Sequence, residues 1–244
     1  MKNPQMHPKT IFFILITLLT AAQTAIGDYL AIDSVDGTFN ISAGQINGVL
    51  GGGNNAFSMS DLDIIAATLQ NDGIETEGRL SFLLASTDAG LSFIGLFDGI
   101  EENDPSGSIP DQLLGVSATA GSSTDWFASG DLGSDVDWYD MGNNTQLVTA
   151  LLAWEHGQTS AAFAWSDVRD AQSGTTNLYD VDFTEYAPEP IQFITYSGNQ
   201  WELAGQAAFS VLGQYAFSYQ FVPAPGALSL LVIAGFSANR RRRV

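Results

Sequence analysis

The chain has 244 residues, 45% hydrophobic and only 14% charged, and its 15 Phe, 7 Tyr and 5 Trp supply ample apolar area for a core. This composition excludes a disordered chain, and the absence of cysteine excludes disulfides, thiol nucleophiles and cysteine metal sites. The net charge of −19 is unevenly spread, since six of the eight basic residues lie near the two ends. Between Asp28 and Val222, two arginines stand against 27 acidic residues, a net charge of −25 that argues against a nucleic-acid partner.

Residues 1–27 have the pattern of a secretory signal peptide. Lys2 and Lys9 precede the apolar run Ile11–Leu19, and small residues follow as far as Ala25-Ile26-Gly27. An apolar run of this length is too short to span a bilayer comfortably as a permanent anchor. The pattern predicts a signal helix, export through the translocon and cleavage before Asp28, with an uncleaved anchor as the alternative.

The body, residues 28–222, opens with two segments whose structure is less sharply patterned. The glycine-rich stretch Gly48–Asn55 lacks the lysine and the following helix of a phosphate-binding loop, so we interpret it as a flexible loop. Ser60–Leu69 is predicted to be a strand that enters a turn at Asn71-Asp72-Gly73. A helix is the alternative, because Ser60 and Asp63 imitate a capping box.

Short apolar runs separated by turn residues then predict a series of β-hairpins. Arg79–Ala85 is predicted to pair with Leu91–Phe97, and Gln146–Glu155 with Thr159–Ser166. A further hairpin is predicted to turn at Ser197-Gly198-Asn199.

The final run of the body alternates with period two, which is typical of a strand with one buried face. Its predicted buried face consists of Tyr215, Phe217, Tyr219 and Phe221. Many short strands without long alternating helices predict an all-β domain, a single antiparallel, jelly-roll-like β-sandwich over residues 28–222.

The densest acidic segment predicts a calcium site in a loop. Its carboxylates are Asp131, Asp135, Asp137 and Asp140. Clustered loop carboxylates provide the six to eight oxygens that Ca²⁺ requires, although the spacing is not that of an EF-hand. The alternative is a solvated acidic loop.

Two tryptophans predict a carbohydrate-binding surface. Trp126 and Trp138 lie in polar, Asp-rich stretches that we interpret as loops, where a ring can stack on a sugar while nearby polar groups bind its hydroxyls. Trp154 and Trp165 lie in alternating runs and are predicted to be core residues.

Catalytic signatures are sparse. His156 is the only histidine after the signal segment, and no G-x-S-x-G motif is present. We therefore predict a protein that is not an enzyme, although a glycosidase with paired carboxylates stays open, because sequence does not reveal their separation.

Residues 223–244 contain a proline motif, a short apolar run and an arginine cluster. Pro223, Ala224, Pro225 and Gly226 begin the segment, and the apolar or small residues continue to Ala238. The segment ends with Arg240, Arg241, Arg242 and Arg243 before the terminal valine. By the positive-inside rule the arginines would stay in the cytoplasm, while the run is shorter than a comfortable transmembrane helix.

This order of features resembles the PEP-CTERM sorting signal of Gram-negative bacteria, with Ala224 where glutamate is commonest. The resemblance implies a short transmembrane helix, transient insertion in the inner membrane and removal of the tail by an exosortase-type peptidase. It covers only the tail and implies nothing about the chemistry of the body. The expected protein is thus an exported cell-surface or extracellular-matrix protein with a structural or adhesive role, and the alternative is a carbohydrate- or calcium-binding module.

Overall fold

The computed structural model describes residues 28–53, 55–98, 112–121, 126–129, 134–154, 160–166, 173–180, 191–209 and 213–223. The chain divides into the compact unit Tyr29–Val222 and a second unit made of Met1–Asp28 and Pro223–Val244. Of the second unit, only Asp28 and Pro223 fall within the described ranges.

The described residues form fourteen strands and one helix. In chain order the elements are β1 (Tyr29–Ser34), β2 (Gly37–Ser42), β3 (Gly44–Gln45), α1 (Met59–Asn71), β4 (Arg79–Thr87), β5 (Gly90–Asp98), β6 (Gln112–Gly121), β7 (Trp126–Ser129), β8 (Ser134–Gly142), β9 (Thr145–Trp154), β10 (Ser160–Ser166), β11 (Ser173–Asp180), β12 (Ile191–Ser197), β13 (Gln200–Ala207) and β14 (Gln214–Val222). The prediction of an all-β sandwich is confirmed.

Two sheets carry these strands. The first sheet has the order β2-β1-β14-β11-β6-β9-β8, and all its pairs are antiparallel. The second has the order β13-β12-β4-β5-β10-β7, with β3 beside β4. Because β12 and β3 both run parallel to β4, this sheet is mixed, which the prediction of an antiparallel sandwich did not specify.

An aromatic core lies between the two sheets. Phe82 of β4 is at its centre, with its ring centroid 5.8 Å from that of Phe163, 5.5 Å from that of Phe193 and 4.9 Å from that of Phe217 on the opposite sheet. The predicted face of β14 is confirmed, since Tyr215, Phe217 and Tyr219 are buried there and Phe221 packs against the core. Such aromatic pairs stabilise a core beyond the area that they bury.

Helix α1 covers the other face of the second sheet. Leu62, Ile65 and Leu69 recur at helical spacing and pack with Leu83 and Ile94 of that sheet in a second buried cluster. Both faces of β4 are thus buried, which is why its sequence is a nearly continuous apolar run. The first sheet keeps its outer face open among the described residues, where exposed and half-buried side chains alternate with the core.

The helix corrects the strand predicted for Ser60–Leu69. Its N-cap is Ser58, whose side chain and that of Asp61 form the capping box, two residues before the pair noted in the sequence. The helix ends in a Schellman pattern, in which Gly73 N donates to Gln70 O at 2.9 Å and Ile74 N to Leu69 O at 3.0 Å. The predicted hairpin turn at residues 71–73 is therefore the helix terminus.

The glycine-rich loop is packed at its centre, although Gly48, Leu50 and Asn55 are exposed. Gly51, Gly52 and Gly53 are buried beneath the β4–β5 turn, and a Cβ on Gly53 would lie 2.2 Å from Ala89 O. Asp61 fixes this loop to α1, because its Oδ1 accepts a hydrogen bond of 2.8 Å from Leu50 N. The segment is a loop, as predicted, with a structural role that its composition did not indicate.

Besides the hairpin predicted around residues 71–73, which the helix replaces, three hairpins were predicted, and two of these three are confirmed. β4 pairs with β5, and β12 with β13, across the predicted turns. The third is wrong, because β9 pairs with β6 and β8 in the first sheet, whereas β10 pairs with β5 and β7 in the second.

Candidate functional site

The hairpin of β8 and β9 has a distinctive tip. Asn143 and Asn144 both have positive φ, 54° and 58°, the conformation of the two central residues of a type I′ turn. The pairing shifts register between Asp140 and Gly142, and Asp140 Oδ1 accepts a hydrogen bond of 2.8 Å from Gly142 N. The tip is therefore fixed by its own short-range contacts.

A pocket of about 420 Å³ lies at this tip. It is lined by Trp138, Tyr139, Asp140, Gly142, Asn144 and Gln146, and we call it the hairpin pocket. Its two aromatic side chains are 44% and 50% exposed, which is unusual for rings of this size.

Strand geometry explains how these groups meet. Asp140 pairs with Gln146 and Trp138 with Val148, so these side chains share the face of the sheet that continues from the core. Val148 is buried because β9 lies inside the sheet, whereas Trp138, directly opposite it, lies on the edge strand β8 and is exposed to solvent. Tyr139 points to the opposite face, and the pocket therefore wraps around the exposed edge strand.

The side chains that line the hairpin pocket suit a neutral polar ligand that has one apolar face. Asn144 offers an amide donor and acceptor, Gln146 adds an amide whose Nε2 donates to Gly121 O at 3.1 Å, and Asp140 is the carboxylate among the described lining residues. The described residues contain one cationic side chain, Arg79 in the second sheet, which pairs with Glu75. Rings beside amides and a carboxylate can stack on a sugar and bind its hydroxyls.

Three of the four carboxylates of the predicted calcium site, Asp135, Asp137 and Asp140, lie in a strand rather than in a loop. Asp131 lies outside the described residues, and Asp135 is described only through its backbone in β8. Asp137 and Asp140 belong to the same strand, and their odd spacing places them on opposite faces. No three Asp, Glu or His side chains of the described ranges come together as a metal site. The loop assignment is wrong for the three carboxylates in β8, and calcium binding stays a prediction.

The two tryptophans of the predicted carbohydrate site also lie in strands rather than loops. Trp126 is the first residue of β7, opposite Trp165 of β10, and its side chain is outside the described set. Trp138 lines the hairpin pocket. Trp165 is fully buried, which confirms its assignment to the core, while the side chain of Trp154 is not described.

Other predicted residues lie outside the described ranges, namely the signal segment 1–27, His156, Ala224, Pro225, Gly226, Arg240, Arg241, Arg242 and Arg243. Pro223 directly follows β14. Within the part of the chain that is described, no helix is long and apolar enough to cross a membrane.

Gln146 is a pocket residue that the sequence did not reveal. In the sequence Gln146 is only the first residue of a predicted strand. Its pairing with Asp140 across the turn can be deduced once Asn143 and Asn144 are recognised as the two turn residues. An Asn-Asn pair between alternating segments was the available signal.

No protein-family model, curated protein or solved structure matches this chain.

Proposed function

We propose that this chain is an exported, non-enzymatic cell-surface or extracellular-matrix protein whose β-sandwich binds carbohydrate at the hairpin pocket. After export it is held briefly in the inner membrane by its tail and is processed there by an exosortase-type peptidase. The adhesive role then depends on the acidic body, whose partner is an extracellular polysaccharide.

The hairpin pocket is the observation that carries the carbohydrate assignment. It places an exposed Trp138 within one volume of about 420 Å³ with Asp140, Asn144 and Gln146. Pockets of this size suit small ligands, and aromatic rings with a few polar groups are the common lining. Glycosidases need two carboxyl groups about 5–10 Å apart, whereas the described residues that line this pocket include one, which favours binding without hydrolysis.

Export is supported by the two terminal segments of the sequence. The chain begins with basic and apolar residues, as a signal peptide does. Near its other end a proline motif is followed by 13 apolar or small residues (226–238) and then by an arginine cluster, which is the order of elements in a sorting signal. To test it, the full chain is expressed in a host with an exosortase and in one without. Only the first host should release a shortened protein, and replacement of Arg240–Arg243 by glutamine should block this step; an intact cytoplasmic protein in both hosts would exclude sorting.

A glycan array tests the pocket. The Trp138→Ala variant should bind the selected glycan about tenfold more weakly, because a stacked ring contributes on the order of 0.5–1.5 kcal/mol beyond its buried area. Leu203→Ala is the control, since Leu203 is 45% exposed in β13 of the other sheet. Equal binding by the wild type and Trp138→Ala would contradict the assignment, as would an equal loss in the control.

A further inference from the structure

The outer face of the first sheet is a broad surface of hydroxyl and amide groups. Because the register of every pair is known, side chains that share a row across the strands can be identified. The longest row crosses all seven strands and consists of Tyr139, Leu147, Thr119, Thr175, Ser218, Asp33 and Thr38. The neighbouring row consists of Asp137, Thr149, Ser117, Asn177 and Ala216. We call these two rows the hydroxyl face.

Hydrogen bonds within the hydroxyl face hold its side chains in place. Thr119 Oγ1 and Thr175 Oγ1 are 2.7 Å apart, and Thr175 N donates to Thr119 Oγ1 at 3.1 Å. At the other end of the row, Thr38 Oγ1 donates to Asp33 Oδ1 at 3.4 Å. Hydroxyls fixed in this way present donors and acceptors to a ligand with little further loss of rotamer freedom.

Two grooves open on the same face and adjoin each other. Their volumes are about 470 Å³ and 340 Å³, and they share Asp33, Thr175 and Ser218. The equivalent face of the second sheet is covered by α1, so the hydroxyl face is the broad open sheet surface among the described residues.

Charge and hydrogen bonding together select the occupant. Among its described residues the hydroxyl face includes Asp33 and Asp137 and no basic side chain, and the segment 28–222 has a net charge of −25. A polyanion would be repelled. The exposed apolar side chains Val35, Leu151 and Tyr179 lie outside the two rows, where Leu147 and Ala216 are the aliphatic members and leave little apolar area for a protein partner. A neutral polymer with many hydroxyls matches the donors and acceptors without an electrostatic cost.

We propose that the hydroxyl face binds an extended, uncharged polysaccharide that runs across the strands from the hairpin pocket. This inference rests on the proposed carbohydrate function and adds a second surface, together with the charge class of the ligand. Tyr139 joins the two regions, since it lines the hairpin pocket and begins the longest row. Six gaps of ~4.8 Å between seven strands give a length of ~29 Å, enough for an oligosaccharide rather than a single sugar.

Binding of three probes tests the proposal with the full chain. The probes are a long, soluble, linear neutral glucan, a disaccharide of the same linkage and a polyuronate of similar length. The double variant Thr119→Val, Thr175→Val removes two hydroxyls while keeping β-branched side chains. Gln220→Ala is a second variant, because Gln220 is exposed beside Ser173 in the larger groove. Ser197→Ala, at the exposed end of β12, is the control.

We expect the double variant to bind the glucan at least tenfold more weakly and Gln220→Ala severalfold more weakly, with melting temperatures that show folded proteins. The disaccharide should bind the double variant, Gln220→Ala and Ser197→Ala within about twofold of the wild type, because it occupies the hairpin pocket alone. The polyuronate should bind the wild type far more weakly than the glucan.

The outcomes separate the two proposals. If Trp138→Ala loses affinity while the hydroxyl-face variants bind the long glucan as the wild type does, the hydroxyl face is rejected and the pocket stands. If the variants lose affinity and Trp138→Ala does not, the pocket is rejected and the face stands. Polyuronate binding as tight as glucan binding would overturn the charge argument, and a wild type that binds no probe would overturn both proposals.

Discussion

Replacing Asp61 with asparagine should destabilise the protein by removing the link between α1 and the glycine-rich loop. The carboxylate is buried and accepts three hydrogen bonds, from Leu50 N at 2.8 Å, Ser58 N at 2.8 Å and Ser58 Oγ at 2.7 Å. The two backbone donors approach different oxygens. An asparagine can accept at only one of these positions and would point its NH₂ group at the other donor.

The magnitude follows from the loss of at least one hydrogen bond to a charged, buried acceptor. Such bonds stabilise by about 1.5–3 kcal/mol, and an orphaned buried donor costs a similar amount. We therefore expect Asp61→Asn to lower the free energy of unfolding by about 1.5–3 kcal/mol. Asp63→Asn is the matched control, since Asp63 is exposed on the same helix turn and should change the free energy by less than about 0.5 kcal/mol.

The effect should also depend on pH. Burial raises the pKa of Asp61, but hydrogen bonds from Ser58, Leu50 and Gly51 outweigh it and hold the pKa below its ordinary value of 3.8. A carboxyl with a depressed folded-state pKa stabilises the protein above its unfolded pKa and loses that contribution as pH falls through the folded pKa. The difference between wild type and Asp61→Asn should thus be full at about pH 6 and shrink below about pH 4.

Urea unfolding, followed by the fluorescence of the buried Trp165 and Trp201, measures these free energies. Each protein is unfolded at about pH 6 and about pH 3, with Asp63→Asn beside it to account for the titration of other carboxylates. Equal stability of the two variants would refute the reasoning. A difference that persists unchanged at the lower pH would refute its electrostatic part.

Two further predictions concern the core and the net charge. Gly95→Ala should lower the free energy of unfolding by about 1–3 kcal/mol through overpacking, because the added Cβ would lie 2.5 Å from Phe163 Cζ. The loss of stability should be smaller when Phe163→Leu is present as well, and an unchanged loss would show that this contact is not the cause. Raising NaCl from about 0.01 M to about 1 M shortens the Debye length from ~30 Å to ~3 Å, and should raise the melting temperature of the acidic body by more than about 4 °C by screening its self-repulsion; a flat or falling melting temperature would contradict this.

Sequence patterns were most informative where pairing is local. The β4–β5 and β12–β13 hairpins follow from turn residues between adjacent apolar runs, and the alternation of β14 correctly identified its buried face. These features depend on residues within about a dozen positions, which is the range over which turn chemistry and periodicity act.

Turn residues and periodicity could not predict which distant strands pair. β9 and β10 are neighbours in sequence but lie in different sheets, and β4 has a parallel partner more than a hundred residues later. The helix was missed for a related reason, since Thr68 and the Asn-Asp-Gly sequence favoured a strand while the cap begins at Ser58. Packing of its apolar side chains against the second sheet decides the conformation.

The candidate site was predictable in part. Trp138 was identified as an exposed tryptophan near carboxylates, although it lies in a strand rather than a loop. The hydroxyl face could not be foreseen, because Thr119 and Thr175 become neighbours only through the pairing of β6 with β11. Single-sequence patterns identify the residues of one strand face and give no information on which strands stand side by side.

The position of β14 has a consequence for the order of events in the proposed export. It is the last strand of the body, yet it lies between β1 and β11 inside the first sheet, and its final residue, Val222, pairs with Tyr29 of the first strand. A chain that crosses a membrane from its N-terminus cannot complete this sheet until nearly all of it has emerged. If a peptidase removes the tail as proposed, it would have to cut after Val222, since a cut within β14 would remove core residues and release β1 and β2 from the sheet.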